Sequence, residues 1–201
     1  MLFKSKPDPD TYLVAGLGNP GLEYRHSRHN IGFIIIDTLA DSLGIQMKRI
    51  KHKAIIGTGK LQDKQVILVK PQTFMNASGQ SIAPLMRYFK VPLNNLMVIH
   101  DDLDIAFGSI RIRPSGGTAG QRGMKDIVAK LGSQDFPRIR VGIGRPPGRM
   151  DPADYVLYNF TPDQIPLRDE VLEHASRAVQ TFILAGIEKS MNAYNGEIGA
   201  D

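Results

Sequence analysis

Residues able to carry acid–base chemistry follow two separate apolar runs of the sequence. His29 lies in the glycine-rich segment 13–32, and Asp101 comes directly after a later apolar run. An imidazole that is oriented by a carboxylate through one ring nitrogen can use the other nitrogen to deprotonate water near neutral pH. Asn19 and Asn76 add uncharged amide donors, which can hold a developing oxyanion or position a water. These residue types predict an active site in which His29 is the base.

Other interpretations of the same residues stay open at this level. A single His is often a structural residue with its hydrogen bonds satisfied. A metal site is a second possibility, because His26 and His29 are three residues apart and Asp101, Asp102 and Asp104 lie close together. The two His lack a helical register, however, and an acidic cluster is equally typical of a solvated strand end. A serine hydrolase is not indicated, since no Gly-x-Ser-x-Gly sequence occurs.

The glycine-rich segment also matches the spacing of a dinucleotide-binding turn. Gly16, Gly18 and Gly21 fit Gly-x-Gly-x-x-Gly, which requires a helix to begin directly after the glycines so that its N-terminus meets the pyrophosphate. Residues 22–29 are instead charged and lack helical periodicity, and the apolar pattern of a helix resumes only at Ile31. The segment is therefore predicted to be a turn and an ordered loop after a buried strand.

Hydrophobic periodicity predicts alternating strands and helices. Apolar or alternating runs indicate strands at 12–17, 54–59, 66–69, 96–99, 110–113 and 138–143. Helices are indicated at 31–43, around 82–89, at 124–131 and after Thr161. Asn30 and Gly44 are suitable as the N-cap and C′ residues of the first helix. Pro84 should kink the second helix or move its start later. Val171, Ala175, Ala178, Phe182 and Ala185 form the stripe that packs the last helix on the sheet.

This order of elements predicts a single α/β domain with a mixed, mostly parallel central sheet flanked by helices. The predicted domain covers 12–195, with a polar lead-in at 1–11 and a C-terminal tail at 196–201. Loops 18–29, 71–76 and 100–104 each follow a predicted strand. Because open α/β sheets bind ligands at the carboxyl ends of their strands, these loops are expected to share one edge.

Composition excludes several classes of protein. The 201 residues contain no Cys, which removes disulfides, thiolate zinc sites and a Cys nucleophile. The first residues lack the apolar core of a signal peptide, and no stretch approaches the roughly 18 apolar residues of a membrane-spanning helix. We therefore expect a cytoplasmic protein without a membrane partner.

The basic residues are distributed unevenly along the chain. The net charge is +5, but 106–150 alone holds nine basic and two acidic residues. Arg and Gly alternate closely in this segment. A concentration of positive charge of this kind favours a polyanionic partner, and we interpret it as a nucleic-acid-binding surface, although a solvated basic face is common.

Several motifs, taken together, resemble the bacterial type of peptidyl-tRNA hydrolase. They are Gly-Leu-Gly-Asn-Pro-Gly at 16–21, Tyr24, Arg-His-Asn at 28–30, Thr-Phe-Met-Asn-Ala-Ser-Gly at 73–79, His-Asp-Asp-Leu-Asp at 100–104, Gly-Gly at 116–117, Gly123, Lys-Asp at 125–126 and Arg-Ile-Arg-Val-Gly-Ile-Gly at 138–144. The motifs run in the order of that family and cover nearly the whole chain. The resemblance implies a monomeric esterase that needs neither metal nor cofactor and releases peptide from peptidyl-tRNA when translation aborts.

The resemblance also implies roles for individual residues. His29 would be the catalytic base, Asp101 its partner, and Asn19 would orient water or the ester. Asn76, with Met75, would hold the peptide main chain near the scissile carbonyl.

Further roles concern substrate and tRNA binding. Tyr24 would contact the substrate, and Arg113 and Arg140 would bind the 5′ phosphate of the tRNA. Where the family usually has His-Asn, this chain has Gln121-Arg122. Since Arg offers only donors and a permanent charge, we expect Arg122 to bind a backbone phosphate near the 3′ end of the tRNA.

Two alternatives to the enzyme remain. One is an RNA-binding relative of the family that acts in splicing without hydrolysis. The other is a metal-dependent phosphoesterase built on the aspartates at 101–104.

Overall fold

The computed structural model describes residues 7–198, in which helices cover both faces of a central sheet. The strands are β1 (Thr11–Gly16), β2 (Arg49–Lys51), β3 (Ala54–Leu61), β4 (Lys64–Pro71), β5 (Leu96–Asp102), β6 (Ser109–Arg113), β7 (Arg138–Gly142) and β8 (Gly196–Glu197). The α-helices are α1 (Ile31–Leu43), α2 (Gly79–Phe89), α3 (Arg122–Leu131), α4 (Pro152–Tyr155), α5 (Ile165–Ala185) and α6 (Ile187–Tyr194). Every strand and helix predicted from periodicity is present.

The strand order across the sheet is β2-β3-β4-β1-β5-β7-β6-β8. The four central strands run parallel, and antiparallel strands complete both edges. The predicted mixed α/β sheet is therefore confirmed, with its parallel part confined to the centre. Parallel strands are buried on both faces, which explains why β1, β4 and β5 read as continuous apolar runs.

Alternating residues of the central strands form two separate cores. Leu13 of β1 packs on the face covered by α2 and α3, whereas its neighbour Val14 packs on the face covered by α1 and α5. Side chains of successive strand residues point to opposite faces, so each strand supports both cores. None of the helices within 7–198 has the length and apolar character needed to cross a membrane.

The glycines at the end of β1 and after it mainly allow close packing. A Cβ on Gly16 would lie 2.1 Å from the carbonyl oxygen of Gly32 in α1, and one on Gly18 would lie 2.7 Å from the Phe33 ring. Only Gly21 of the three has a positive φ, at 118°. Of the three, Gly21 alone therefore serves the turn through its backbone angle. Because Gly16 and Gly18 have no side chains, the first turn of α1 can pack directly against the end of β1.

The segment between β1 and α1 is an ordered loop, as predicted. It contains two short 3₁₀ turns, Leu22–Tyr24 and Arg28–Asn30, and no α-helix before Ile31. The helix that a dinucleotide-binding turn requires is absent from this part of the chain.

Some boundaries differ from the prediction. Helix α2 begins at Gly79 with Pro84 inside it, because burial of its apolar face outweighs the one backbone hydrogen bond that Pro removes. The predicted tail begins too early, since Gly196 and Glu197 pair with β6. Strands β2 and β8 are too short to show a periodicity. In α5, Ala185 is exposed although the rest of its stripe is buried.

Candidate active site

A cavity of about 800 Å³ lies at the carboxyl edge of the parallel strands. Its lining includes residues from all three loops that were predicted to share this edge, and from two further segments, 119–122 and 145–157. Six of the residues singled out from the sequence line it: Asn19, His29, Met75, Asn76, Asp101 and Arg122. The expected gathering of the three loops is thus observed.

His29 and Asp101 are in direct contact in this cavity. The Nδ1 atom of His29 lies 2.7 Å from Oδ2 of Asp101, and the two side chains are 15% and 4% exposed. A carboxylate can only accept, so Nδ1 carries a proton, and in the neutral imidazole Nε2 is the acceptor. The backbone N–H of His29 donates to the Val156 carbonyl at 2.8 Å, which ties the turn to the segment after β7. The arrangement provides an oriented base at the cavity wall.

Asn30 holds the backbone of Asn19 in place. Its Oδ1 accepts from the Asn19 N–H at 2.8 Å, and its Nδ2 donates to the Asn19 carbonyl at 2.9 Å. Asn30 is at the predicted N-cap position of α1, but it makes no side-chain capping hydrogen bond because its side chain is used across the loop. The Oδ1 atom of Asn19 accepts from the Met75 N–H at 2.8 Å. Since its oxygen is occupied there, Asn19 presents its NH₂ group as a donor.

Met75 and Asn76 lie in a 3₁₀ turn, Met75–Ala77, that follows β4. Met75 is buried, whereas the preceding Phe74 is 63% exposed and lines the cavity. Leu157, on the segment after β7, is another exposed apolar residue of the lining. Sequence reasoning assigned no role to either residue, and the only signal was an apolar residue inside a predicted loop. Their exposure gives part of the cavity an apolar wall.

Arg28 is a buried residue of the site region that sequence reasoning also missed. Its guanidinium donates to the carbonyls of Tyr158 and Asn159 at 3.1 and 2.6 Å and to Oε1 of Gln164 at 2.9 Å. It also stacks over the Tyr155 ring, 4.4 Å from the centroid. These contacts fasten the segment after β7 against the turn that carries the base.

The aspartates at the end of β5 and just after it are engaged separately. Asp102 accepts from Arg140, and Asp104 from Arg145, while Asp101 faces His29. Within 7–198 no three His, Asp or Glu side chains are grouped closely enough to hold a metal ion. The arrangement does not favour the metal-dependent phosphoesterase.

A sequence profile described as peptidyl-tRNA hydrolase matches residues 13–200, nearly the whole chain. The chain belongs to the peptidyl-tRNA hydrolase family. A peptidyl-tRNA hydrolase of Alkaliphilus metalliredigens is 49% identical over 185 residues, which cover 92% of this chain and 100% of the relative. A chloroplastic peptidyl-tRNA hydrolase of Arabidopsis thaliana is 44% identical over 193 residues, covering 96% of this chain and 67% of that protein.

A solved structure of the family has the same fold. The crystal structure of peptidyl-tRNA hydrolase from Acinetobacter baumannii matches with a TM-score of 0.87 at 34% identity, covering 95% of this chain and 99% of that one. The resemblance inferred from the motifs and the predicted fold class are both confirmed.

In this member of the peptidyl-tRNA hydrolase family, the arginines of β6 and β7 lie outside the cavity. Arg111 is opposite Arg140, and Arg113 is opposite Arg138, so all four share one face of the sheet. We call Arg111, Arg113 and Arg140 the basic strip. Arg113 is exposed, whereas Nε of Arg140 donates to Asp102 at 2.6 Å.

Arg138 does not contribute to that surface. It is 1% exposed, and its guanidinium donates to backbone carbonyls, including those of Gly117 at 3.1 Å and Phe136 at 3.1 Å. Burial, helped by the charge of Arg140, lowers the pKa of Arg138 below its usual range. Arg138 is therefore one basic residue of segment 106–150 that does not face solvent, and it braces the loop at Gly116 and Gly117 instead.

Two residues with expected substrate contacts are placed differently from each other. Arg122 is exposed at the cavity, as the first residue of α3. Tyr24 is not part of the cavity lining among the described residues, and its carbonyl accepts from the Ser27 N–H at 3.0 Å. Arg122 therefore lines the same cavity as His29, whereas Tyr24 does not.

Proposed function

We propose that the chain hydrolyses the ester bond between a peptide, or an N-blocked amino acid, and tRNA, with His29 as general base. The observation that carries the proposal is the 2.7 Å contact between His29 and Asp101 at the wall of a cavity, in a member of the peptidyl-tRNA hydrolase family. The products are free tRNA and free peptide, so the reaction recycles peptidyl-tRNA that is released prematurely.

The proposed chemistry proceeds in two proton transfers. Nε2 of His29 takes a proton from water, and the resulting hydroxide attacks the ester carbonyl. Asp101 stabilises the imidazolium that forms, and the imidazolium then returns the proton to the departing 3′ oxygen of the ribose. A positioned base contributes roughly 10²- to 10⁴-fold to the rate.

Amide groups would stabilise the tetrahedral intermediate. The NH₂ group of Asn19 is available because its oxygen accepts from Met75. Asn76 is exposed at the same cavity and is the candidate to bind the peptide main chain, with Met75. The apolar surface of Phe74 suits a peptide side chain. One well-placed oxyanion donor is worth about 10²- to 10³-fold in kcat.

The tRNA would be bound by positive charge outside the cavity. Arg113 and Arg140 are proposed to contact the 5′ phosphate, and Arg122 a backbone phosphate near the 3′ end. The location of Arg122 at the cavity supports this role, since the 3′ end must enter there. Tyr24 remains a proposed substrate contact, which would require the substrate to extend along the turn at 22–24.

Several properties implied by the family resemblance remain proposals. We expect the protein to act as a monomer in the cytoplasm, without metal or cofactor. A relative from Arabidopsis is named chloroplastic, so members of the family also occur in organelles.

The deciding experiment is cleavage of an N-acylated aminoacyl-tRNA by the purified protein, with and without a chelator. Release of the acyl amino acid at equal rates in both samples is the expected result. Binding of tRNA without cleavage would instead identify the non-catalytic RNA-binding relative. Activity lost with chelator and restored by a divalent ion would identify a metal enzyme.

A further inference from the structure

We propose that Gln121 is a positioning residue for the base, because its side-chain amide fixes the direction of the Asp101 carboxylate and thereby the tautomer of His29. The inference rests on the proposed function, in which His29 acts through Nε2.

The orientation of the Gln121 amide is decided by the helix that follows it. Gln121 is the N-cap of α3, and its Oε1 accepts from the Met124 N–H at 2.8 Å. Because a backbone N–H can only donate, the oxygen of the amide must face α3 and the NH₂ group must face the other way. Nε2 then lies 3.0 Å from Sδ of Met75 and 3.3 Å from Oδ1 of Asp101.

Both oxygens of Asp101 are therefore occupied. Oδ2 faces Nδ1 of His29, and Oδ1 accepts from Gln121. Rotation of the carboxylate would break both contacts at a residue that is only 4% exposed, and leaving a buried acceptor without its partners is costly. The fixed carboxylate keeps the proton of His29 on Nδ1.

The surroundings of Gln121 leave little room for movement. The side chain is 9% exposed. A Cβ on the neighbouring Gly123 would lie 2.8 Å from Sδ of Met75 and 3.0 Å from Oε1 of Gln121. The amide is thus packed between Met75 and the first turn of α3, which holds it against Asp101.

An amide does not titrate, and this has a consequence for the pH dependence. The donor to Asp101 is therefore present at every pH. A His at 121 would add a further group that titrates near neutral pH. We therefore expect one more ionisation in the acid limb of kcat/KM for Gln121→His than for the wild-type protein.

The first test removes the donor but keeps the helix cap. Ser is among the preferred N-cap residues, so Gln121→Ser can still accept from the Met124 N–H. Loss of one buried hydrogen bond corresponds to about a tenfold change in an equilibrium constant or a rate constant. We expect kcat to fall about tenfold on an N-acylated aminoacyl-tRNA, with KM nearly unchanged and Tm lowered, because a buried oxygen of Asp101 loses its donor. An unchanged kcat would overturn the proposal.

The second test reverses the polarity of the contact. In Asp101→Asn the Gln121 amide attracts the Asn oxygen, so the Asn NH₂ group faces Nδ1 of His29 and moves the His proton to Nε2. In Asp101→Asn with Gln121→Glu, the Glu carboxylate accepts from that NH₂ group, and the Asn oxygen returns to His29. A carboxylate is also tolerated at the N-terminus of α3.

The double variant is expected to be at least about ten times more active than Asp101→Asn alone, which is the effect of about one hydrogen bond. A residue that only capped α3 would give no such rescue, and equal activities would contradict the proposal. Nitrogen chemical shifts of the His29 ring report the tautomer without any turnover. Should the wild-type protein not cleave the ester, a proton on Nδ1 in the wild type and the double variant, and on Nε2 in Asp101→Asn, would still establish the role of Gln121.

Discussion

The catalytic pair and the basic strip are built in opposite ways. His29 and Asp101 are largely shielded from water, and each has a hydrogen-bonding partner in the fold. In the basic strip, Arg111 and Arg140 are directly opposite on adjacent strands, and Arg113 is exposed. Proton transfer requires a fixed geometry, whereas binding a phosphate backbone requires positive charge that is accessible to the phosphates.

One strand joins the two regions. Asp101 and Asp102 are consecutive in β5, so their side chains point to opposite faces of the sheet. Asp101 contacts His29, and Asp102 contacts Arg140. A substitution can therefore affect catalysis alone, RNA binding alone, or both, depending on which side of β5 it touches.

The largest effect is expected for His29→Ala. The loss of the base should lower kcat by roughly 10²- to 10⁴-fold, with tRNA affinity unchanged because the residues of the basic strip do not line the cavity. Single-turnover cleavage and equilibrium tRNA binding measure the two quantities. His26→Ala is the matched control, since His26 is exposed and lies three residues away. Full turnover by His29→Ala would disprove its role as the base.

Arg140→Gln should affect both regions. The Asp102 side chain is 3% exposed, so removing the guanidinium leaves a buried acceptor without its partner and lowers the free energy of unfolding by about 1–3 kcal/mol. We also expect weaker tRNA binding. Urea unfolding and tRNA binding are the measurements. An unchanged stability would mean that the contact with Asp102 is not maintained in solution.

The buried His100 of β5 makes the stability of the protein sensitive to acid. Burial lowers its pKa, although its hydrogen bond to the Asp101 carbonyl and the nearby carboxylates act in the opposite direction. Because the folded pKa is below the unfolded value of about 6.5, the unfolded chain binds more protons below that pH. The contribution of His100 to the free energy of unfolding is complete above about pH 6.5. It is lost on acidification, by at most about 1.4 kcal/mol per pH unit.

Urea unfolding of the wild type and His100→Gln at pH 7.5 and 5.5 tests this directly. Gln does not titrate, so the variant should lose less stability between the two pH values. Equal losses would show that other groups cause the acid sensitivity.

Arg113→Gln should change RNA binding alone. An exposed arginine that contacts a phosphate releases about one counterion, so the log–log salt slope should decrease by up to about one unit. The loss of affinity is then greatest at low salt, and cleavage of a minimal substrate without the tRNA body stays the same. Lys189→Gln removes the same charge from exposed α6 and is the control. An equal loss on both substrates would indicate a structural role.

The smallest effect is expected for Arg122→Asn, which removes the charge and keeps a polar side chain. Loss of one phosphate contact near the 3′ end should lower the salt slope by less than one unit, with kcat at saturation largely retained. Titration of tRNA over a salt series measures it. If affinity and slope both stay the same, Arg122 is a surface residue and the glycines of its loop position the substrate.

Much of the fold could be predicted because its signals are local. Three features depend on residues that are close in the chain: the alternation of β6 and β7, Gly44 at the end of α1, and the turn at Thr161. In that turn the Thr161 N–H donates to Gln164 at 3.1 Å. The placement of His29 and Asp101 at one edge followed from the rule that parallel strands bind ligands at their carboxyl ends.

The fates of the arginines and of Asn30 could not be predicted in this way. Arg28, Arg113, Arg138 and Arg140 are the same residue type, yet one is exposed, one is paired with a carboxylate, and two are buried against backbone carbonyls. Asn30 has the side chain of a helix cap and was instead used across a loop. Nothing within a few residues of any of them distinguishes these outcomes.

By itself, the sequence determined which residues could do chemistry, the strands that carry them and the family to which they belong, because periodicity and motif order are properties of the chain alone. The tertiary structure decided how each polar group is used. Gln121 reaches Asp101 across 20 residues, and Arg28 reaches Tyr158 across 130. A donor or a charge is stabilised by partners that the fold brings to it, and those partners lie far away in the sequence.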